Sequence, residues 1–349
     1  MLNVFDHMPA GALECEASRL HEVLPGPSLI HLPGRNAEPL FVSVLLHGNE
    51  DTGWEAVREV LAGLGGRALP RALSLFVGNV AAARYGLRQL EGQADFNRVW
   101  KGEGTAEHAL MRQVVDAMRE RGPFASIDIH NNTGFNPHYG CVNRLDQRFF
   151  HLAALFSRTV VYFIRPEGVQ SAAFADLCPA VTVECGQPGQ RHGVEHAAEF
   201  VEATLRLNEL PDHPIAPHDI DLFHTVAVVK VEEDIRLALG SEGGEPDGAA
   251  RGVGLRLPAD IDHLNFQELP PGTAFGWVDG GDGLPIYAHN ELGGEVADRY
   301  FQVDEGVLRT TRPLMPSMLT RNLDIVRSDC LCYLMERLDT SQPQGSTPG

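Results

Sequence analysis

Histidine and glutamate three residues apart, as in the tetrapeptide HGNE that spans His47 and Glu50, can reach one metal ion from a single turn. With 15 histidines and 47 acidic residues in the chain, chance gives about two H-x-x-[DE] matches, so spacing alone carries little. Two further H-x-x-E matches occur, His192 with Glu195 and His196 with Glu199. Context separates the first match from these. A catalytic zinc takes three protein ligands and keeps one position open, and His130 offers the third. His47, Glu50, Asn79, His130 and Glu184 all stand at or just after the ends of strand-like runs. Open α/β sheets form their sites outside the carboxyl ends of the strands. These positions predict one zinc-like divalent ion held by His47, Glu50 and His130.

The surrounding residues suit amide hydrolysis, which needs a base, a charge to steady the oxyanion and a proton for the leaving amine. Glu184, in VTVECG, can serve as base and then acid. Arg88 can polarise a carbonyl. Asn97 and Arg98, in DFNR, form a donor pair for a carboxylate, which a guanidinium fork binds in bidentate fashion. The rival motif, His192-x-x-Glu195-His196, spells the inverted zincin pattern. Gly193 weakens a helix there, and no long helix follows to supply another ligand. The motif therefore reads as a charged first turn of a helix over 194–207, its acids near the positive end of the dipole.

The elements that must position these residues alternate. Apolar runs at 40–46, 73–77, 125–129, 160–164 and 180–183 read as strands buried on both faces. Helical patterns lie between them at 54–64, 106–121, 147–158 and 194–207. The expected fold class is α/β, an α/β/α sandwich on a mainly parallel or mixed sheet over residues 1–209. The proline-rich stretch 210–218 reads as a linker. A smaller β-rich domain is expected over 219–339, with a strand at 224–231, a glycine-rich loop at 240–252 and a disordered tail at 340–349. Cys330 and Cys332 alternate as on one strand.

At 349 residues and a net charge of −19, the chain is an acidic globular protein whose field repels nucleic acid and anionic lipid. No apolar run is long enough to span a membrane, and no secretory signal is visible. Six cysteines without a CxxC pair read as reduced thiols of a cytoplasmic protein.

In order, HGNE, GN…A…G-x-R, D-x-N-R, D-[IL]-H-N-x-T and a strand ending in E-x-G resemble the succinylglutamate desuccinylase/aspartoacylase family, a branch of the zinc carboxypeptidase superfamily. The match runs from about Val42 to Gly193, and NFQELPPGTAF resembles the family's C-terminal domain. The resemblance implies zinc on His47, Glu50 and His130, Glu184 as general base and acid, and Arg88 on the carbonyl oxygen, with Arg84 as its fallback. It also implies that Asn97 and Arg98 hold the α-carboxylate of an N-acyl amino acid, a small-molecule substrate. Two departures stand out. Near Phe174, where the aspartoacylase branch has an arginine for a second carboxylate, this chain has none, and Arg165 is unaligned. After Asn290-Glu291 the expected tyrosine is missing, with Tyr300 a distant substitute. A neutral or apolar substrate side chain follows. The expected activity is deacylation of an N-acyl amino acid. The alternatives are a carboxypeptidase acting on short peptides and a non-catalytic zinc- or small-molecule-binding protein.

Overall fold

The structure is a computed structural model that describes residues 1–240, 254–280 and 283–338. Most of the glycine-rich loop and the whole expected tail therefore lie outside the described residues. Met1–Asn131 and His138–Leu222 form one compact unit, and Asn132–Pro137 and Phe223–Leu338 form another.

The first unit holds strands β1 (Asn3–Phe5), β2 (Ser28–Leu32), β3 (Gly34–Val44), β4 (Leu69–Val77), β5 (Ala125–His130), β6 (Tyr139–Val142), β7 (Thr159–Tyr162) and β8 (Ala180–Glu184). Their order in the sheet is β1-β2-β4-β3-β5-β8-β6-β7. The run β4-β3-β5-β8 is parallel, while β2 and β6 run antiparallel to β4 and β8. The middle strands are buried along almost their whole apolar stretch, as strands covered on both faces must be. Helices α1 (Thr52–Gly63), α2 (Val80–Ala83), α3 (Ala106–Arg121), α4 (Gln147–Ala154), α5 (Gln170–Phe174) and α6 (Arg191–Arg206) lie between the strands in sequence. Among the described residues no helix is long and apolar enough to cross a membrane.

The mixed α/β architecture agrees with the sequence, with differences in detail. Strands β1, β2 and β6 and the short helices α2 and α5 are not anticipated by the apolar pattern. Helix α4 ends at Ala154 rather than 158. Helix α6 starts at Arg191, so Gly193 lies inside it rather than breaking it. A Cβ on Gly193 would sit 2.3 Å from the Cys185 carbonyl oxygen, so glycine is what lets this first turn pack on the chain leaving β8.

In the second unit, Asp221–Val231 pairs antiparallel with Ile286–Asn290 and with Cys332–Arg337, whose other neighbour is Met315–Ser317. A second sheet orders Arg236–Gly240, Gly254–Pro258, Ala274–Asp279, Val307–Thr310 and Phe301–Asp304. Val229, Leu255, Phe275, Leu308 and Leu334 belong to this unit's own core. Cys332 opens a strand but Cys330 precedes it, so the two do not share one. All six cysteines are buried and none is in a disulfide.

Candidate metal centre

Two neighbouring parallel strands, β3 and β5, bring the candidate ligands together at their carboxyl ends. Strand β3 stops at Val44, and the chain turns through Leu45, a non-glycine residue held at φ 54°. Gly48 allows the turn to close, since a Cβ there would lie 2.2 Å from the Ala83 nitrogen. His47 and Glu50 follow on this turn, with the Glu50 amide donating to the His47 carbonyl at 3.2 Å. His130 ends β5. All three side chains are buried, and one ligand atom from each lies within 4.8 Å of the others.

The carboxylate of Glu50 bridges the two rings. Its Oε1 is 2.8 Å from His47 Nδ1 and its Oε2 is 2.7 Å from His130 Nδ1. The far nitrogen of each ring meets a second acid. His130 Nε2 is 2.8 Å from Asp128 Oδ2, and His47 Nε2 is 3.0 Å from Asp95 Oδ1. Asp128 sits two residues before His130 on the same face of β5 and accepts from Ser43 Oγ at 2.6 Å. A carboxylate on the outer nitrogen fixes tautomer and ring orientation and leaves Nδ1 facing inward.

Burial opposes ionisation of Glu50, but the two histidines outweigh it and hold the carboxyl well below its usual range. Burial likewise opposes a charge on His130, and Asp128 and Glu50 overcome it, raising its proton affinity. Asp95 is held low against its burial by His47 and Arg88. The donor set fits a divalent cation on charge as well as geometry. Three carboxylates surround two imidazoles, and Arg88 offsets one of them; a charge of +2 at the shared Nδ1 face balances the rest.

The other expected site residues fall around this core. Glu184 is the strand neighbour of His130 in the β5–β8 pairing, so both side chains leave the same face of the sheet, and it is half-buried. The guanidinium of Arg88 rests on Asp95 Oδ2, through Nε at 3.2 Å and a terminal nitrogen at 2.8 Å. Asn97 is pinned from both sides. Its Oδ1 accepts from the Gln170 amide at 3.0 Å, and its Nδ2 lies 3.2 Å from His130 Nε2. Since His130 Nε2 gives its proton to Asp128, the Asn97 amide hydrogens find no acceptor on that ring. Arg98 is half-buried and donates to the Asn97 carbonyl at 2.9 Å. Gly168 lets this segment settle, because a Cβ there would meet the Arg98 carbonyl oxygen at 2.0 Å.

Several alternatives do not join the cluster. Arg84 is exposed over the Tyr85 ring, and Arg165 pairs with Glu167 at 2.7 Å. Phe174 is fully buried and stacks on Phe41 at 4.2 Å, so that position serves the core. Tyr300 is buried within the second unit. Asp95 and Asp128 are residues whose part in the site sequence reasoning missed. The signal available was the alternation Asp128-x-His130 on one strand face.

Residues 37–210 match the model of the succinylglutamate desuccinylase/aspartoacylase catalytic domain. No curated protein matches the sequence. Among solved structures, succinylglutamate desuccinylase from Chromobacterium violaceum is 17% identical, with 88% of this chain and 87% of that one covered and a TM-score of 0.52. A succinylglutamate desuccinylase/aspartoacylase from Rhodobacter sphaeroides is 12% identical, with 89% of each chain covered and a TM-score of 0.56. A mutant of murine aminoacylase 3 is 14% identical, with 87% and 95% covered and a TM-score of 0.54. At these identities the likeness establishes the fold, and the family model adds the catalytic domain. Through residues 37–210 the chain belongs to the succinylglutamate desuccinylase/aspartoacylase family.

Proposed function

We propose that the chain is a zinc-dependent hydrolase that cleaves the amide bond of an N-acyl amino acid. One observation carries this reading: Glu184 stands in strand register with His130, beside a donor set of two histidines and one glutamate. Bound zinc would act as a Lewis acid on the acyl carbonyl and lower the pKa of water at the site. Glu184 takes the proton of the attacking water and returns it to the leaving amine nitrogen. The fork of Arg98 and the amide of Asn97 hold the α-carboxylate. Arg88, braced by Asp95, steadies the acyl oxygen. With Phe174 in the core, no second carboxylate is gripped there, and the preferred side chain is neutral or apolar.

The test is metal analysis of protein purified without added metal, then a panel of N-acetyl and N-succinyl amino acids beside dipeptides, read by free-amine release. Deacylation with about one zinc per chain supports the reading. Faster release from dipeptides would replace it with a carboxypeptidase, and no turnover at full metal occupancy would remove the enzyme. Glu184→Gln should keep its metal and lose about 10²–10⁴ in turnover.

A further inference from the structure

Asn131 is the first residue past β5, the strand that lies between β3 and β8 in the sheet. It is buried, and its polar groups reach the loops that leave both neighbours. The backbone N–H donates to Oε2 of Glu50 at 3.2 Å. The side-chain oxygen accepts from the Thr52 amide at 3.3 Å, and the side-chain nitrogen donates to the Gly186 carbonyl at 2.9 Å. Thr52 opens α1, and the Asp51 side chain makes no cap bond there, so Asn131 supplies an acceptor that a first-turn amide otherwise lacks. Gly186 lies two residues past Glu184, and Cys185 between them donates its amide to the His130 carbonyl at 3.0 Å. The chain leaving β8 is therefore held to the end of β5 at two successive residues.

We propose that Asn131 is a positioning residue, one that fixes the place of Glu184 relative to Glu50 by tying the exits of β3 and β8 to the end of β5. This role rests on the hydrolase reading above, in which Glu184 handles the proton and Glu50 is a metal ligand. A carboxamide suits the position because it donates and accepts at once. A carboxylate of the same shape can only accept, and an apolar side chain can do neither. A base acts on an attacking water only within hydrogen-bond reach, and a displacement of about 1 Å can cost about 10²-fold in rate. Glu50 keeps its own bonds to His47 and His130 without the Asn131 side chain. Loss of that side chain therefore loosens the base more than the metal.

The experiment compares zinc-loaded full chains by steady-state deacylation and by hydrogen exchange read with mass spectrometry. Asn131→Ala leaves the backbone bond to Glu50 and removes both side-chain bonds. It should lower kcat about 10–100-fold per zinc-bound chain with KM nearly unchanged, since Asn97 and Arg98 still hold the carboxylate. Exchange should speed up over 50–53 and 185–190 and stay unchanged in β4 and α3. Asn131→Asp keeps the shape and the bond to Thr52 but sets an oxygen against the Gly186 carbonyl. It should lose turnover with faster exchange over 185–190 alone. Asn143→Ala, which removes a different side-chain bond, to the Phe163 carbonyl at 2.9 Å, should leave kcat unchanged. A lower melting temperature with kcat unchanged in both Asn131 variants would make the residue purely structural and overturn the proposal. A raised KM at constant kcat would overturn it by placing Asn131 on the substrate. If the wild-type chain itself has no turnover, the hydrolase reading fails and exchange alone decides: unchanged rates overturn the tie, and faster rates over both segments keep it.

Discussion

His47 and His130 have a carboxylate at both ring nitrogens, whereas His138, His192 and His196 meet other imidazoles and the ring of Phe156. The same residue type, buried at His130 and half-buried at His138, is pushed in opposite directions within one unit. The proton affinity of His130 rises while that of His138 falls to about 4. Both clusters contain an H-x-x-E match, so the motif does not decide the chemistry. What decides it is whether an acid stands across from each ring, and among the described residues only the first cluster has such acids, Glu50 from the turn after β3, Asp95 from the segment between α2 and α3, and Asp128 from β5.

The largest effect should come from breaking the acidic cluster itself. His130→Ala removes one ligand, leaves Asp128 a buried acid without its imidazole and leaves Glu50 with His47 alone. Metal content should fall to background and deacylation to the uncatalysed level; full zinc and full turnover in this variant would remove His130 from the centre. Asp128→Asn is milder. It keeps the shape but loses the charge that orients His130, and zinc affinity should drop about 10–100-fold by competition with a chelator. Unchanged affinity would mean the strand alone orients the ring. Arg98→Ala spares the metal and removes a charge-assisted bond of about 1.5–3 kcal/mol, so KM should rise about 10–100-fold with kcat nearly constant. A fall in kcat at constant KM would instead place Arg98 at the reacting atoms.

The comparison also explains what the sequence could and could not show. Strands β3, β5 and β8 are legible because burial on both faces demands continuous apolar residues, and their ends locate His47, His130 and Glu184. Strand β6 is not, since it is four residues with a glycine, placed by Gly140 lying against Ala153. Asp95 and Asp128 stand inside legible motifs, but spacing does not say which ring each acid braces. Arg88 is named from its motif, but its guanidinium is engaged by Asp95, an ion pair that no pattern of spacings reports. The second histidine cluster was invisible for a simpler reason. His138 and His196 are 58 residues apart, and only the folded chain brings α6 and the residue before β6 together.

The smallest effect tests the second cluster through its protons. The pKa of His138 in the folded chain, about 4, lies below the ordinary value of 6.5. As pH falls below 6.5 the unfolded chain binds a proton that the folded chain refuses until about 4, so stability is lost across that window. In a dry site a shift of this size would be worth roughly 3 kcal/mol; solvent still reaches the ring, which leaves about 1 kcal/mol. His138→Gln keeps a polar group beside His196 but cannot titrate. Urea unfolding at pH 7 and pH 4.5, with chelator present, should show the wild-type chain losing about 1 kcal/mol more than the variant. Other titrating groups act on both proteins and cancel in the difference. Equal losses would mean that His138 takes up its proton as readily folded as unfolded. The contrast with His130 would then rest on the acids around His130 alone.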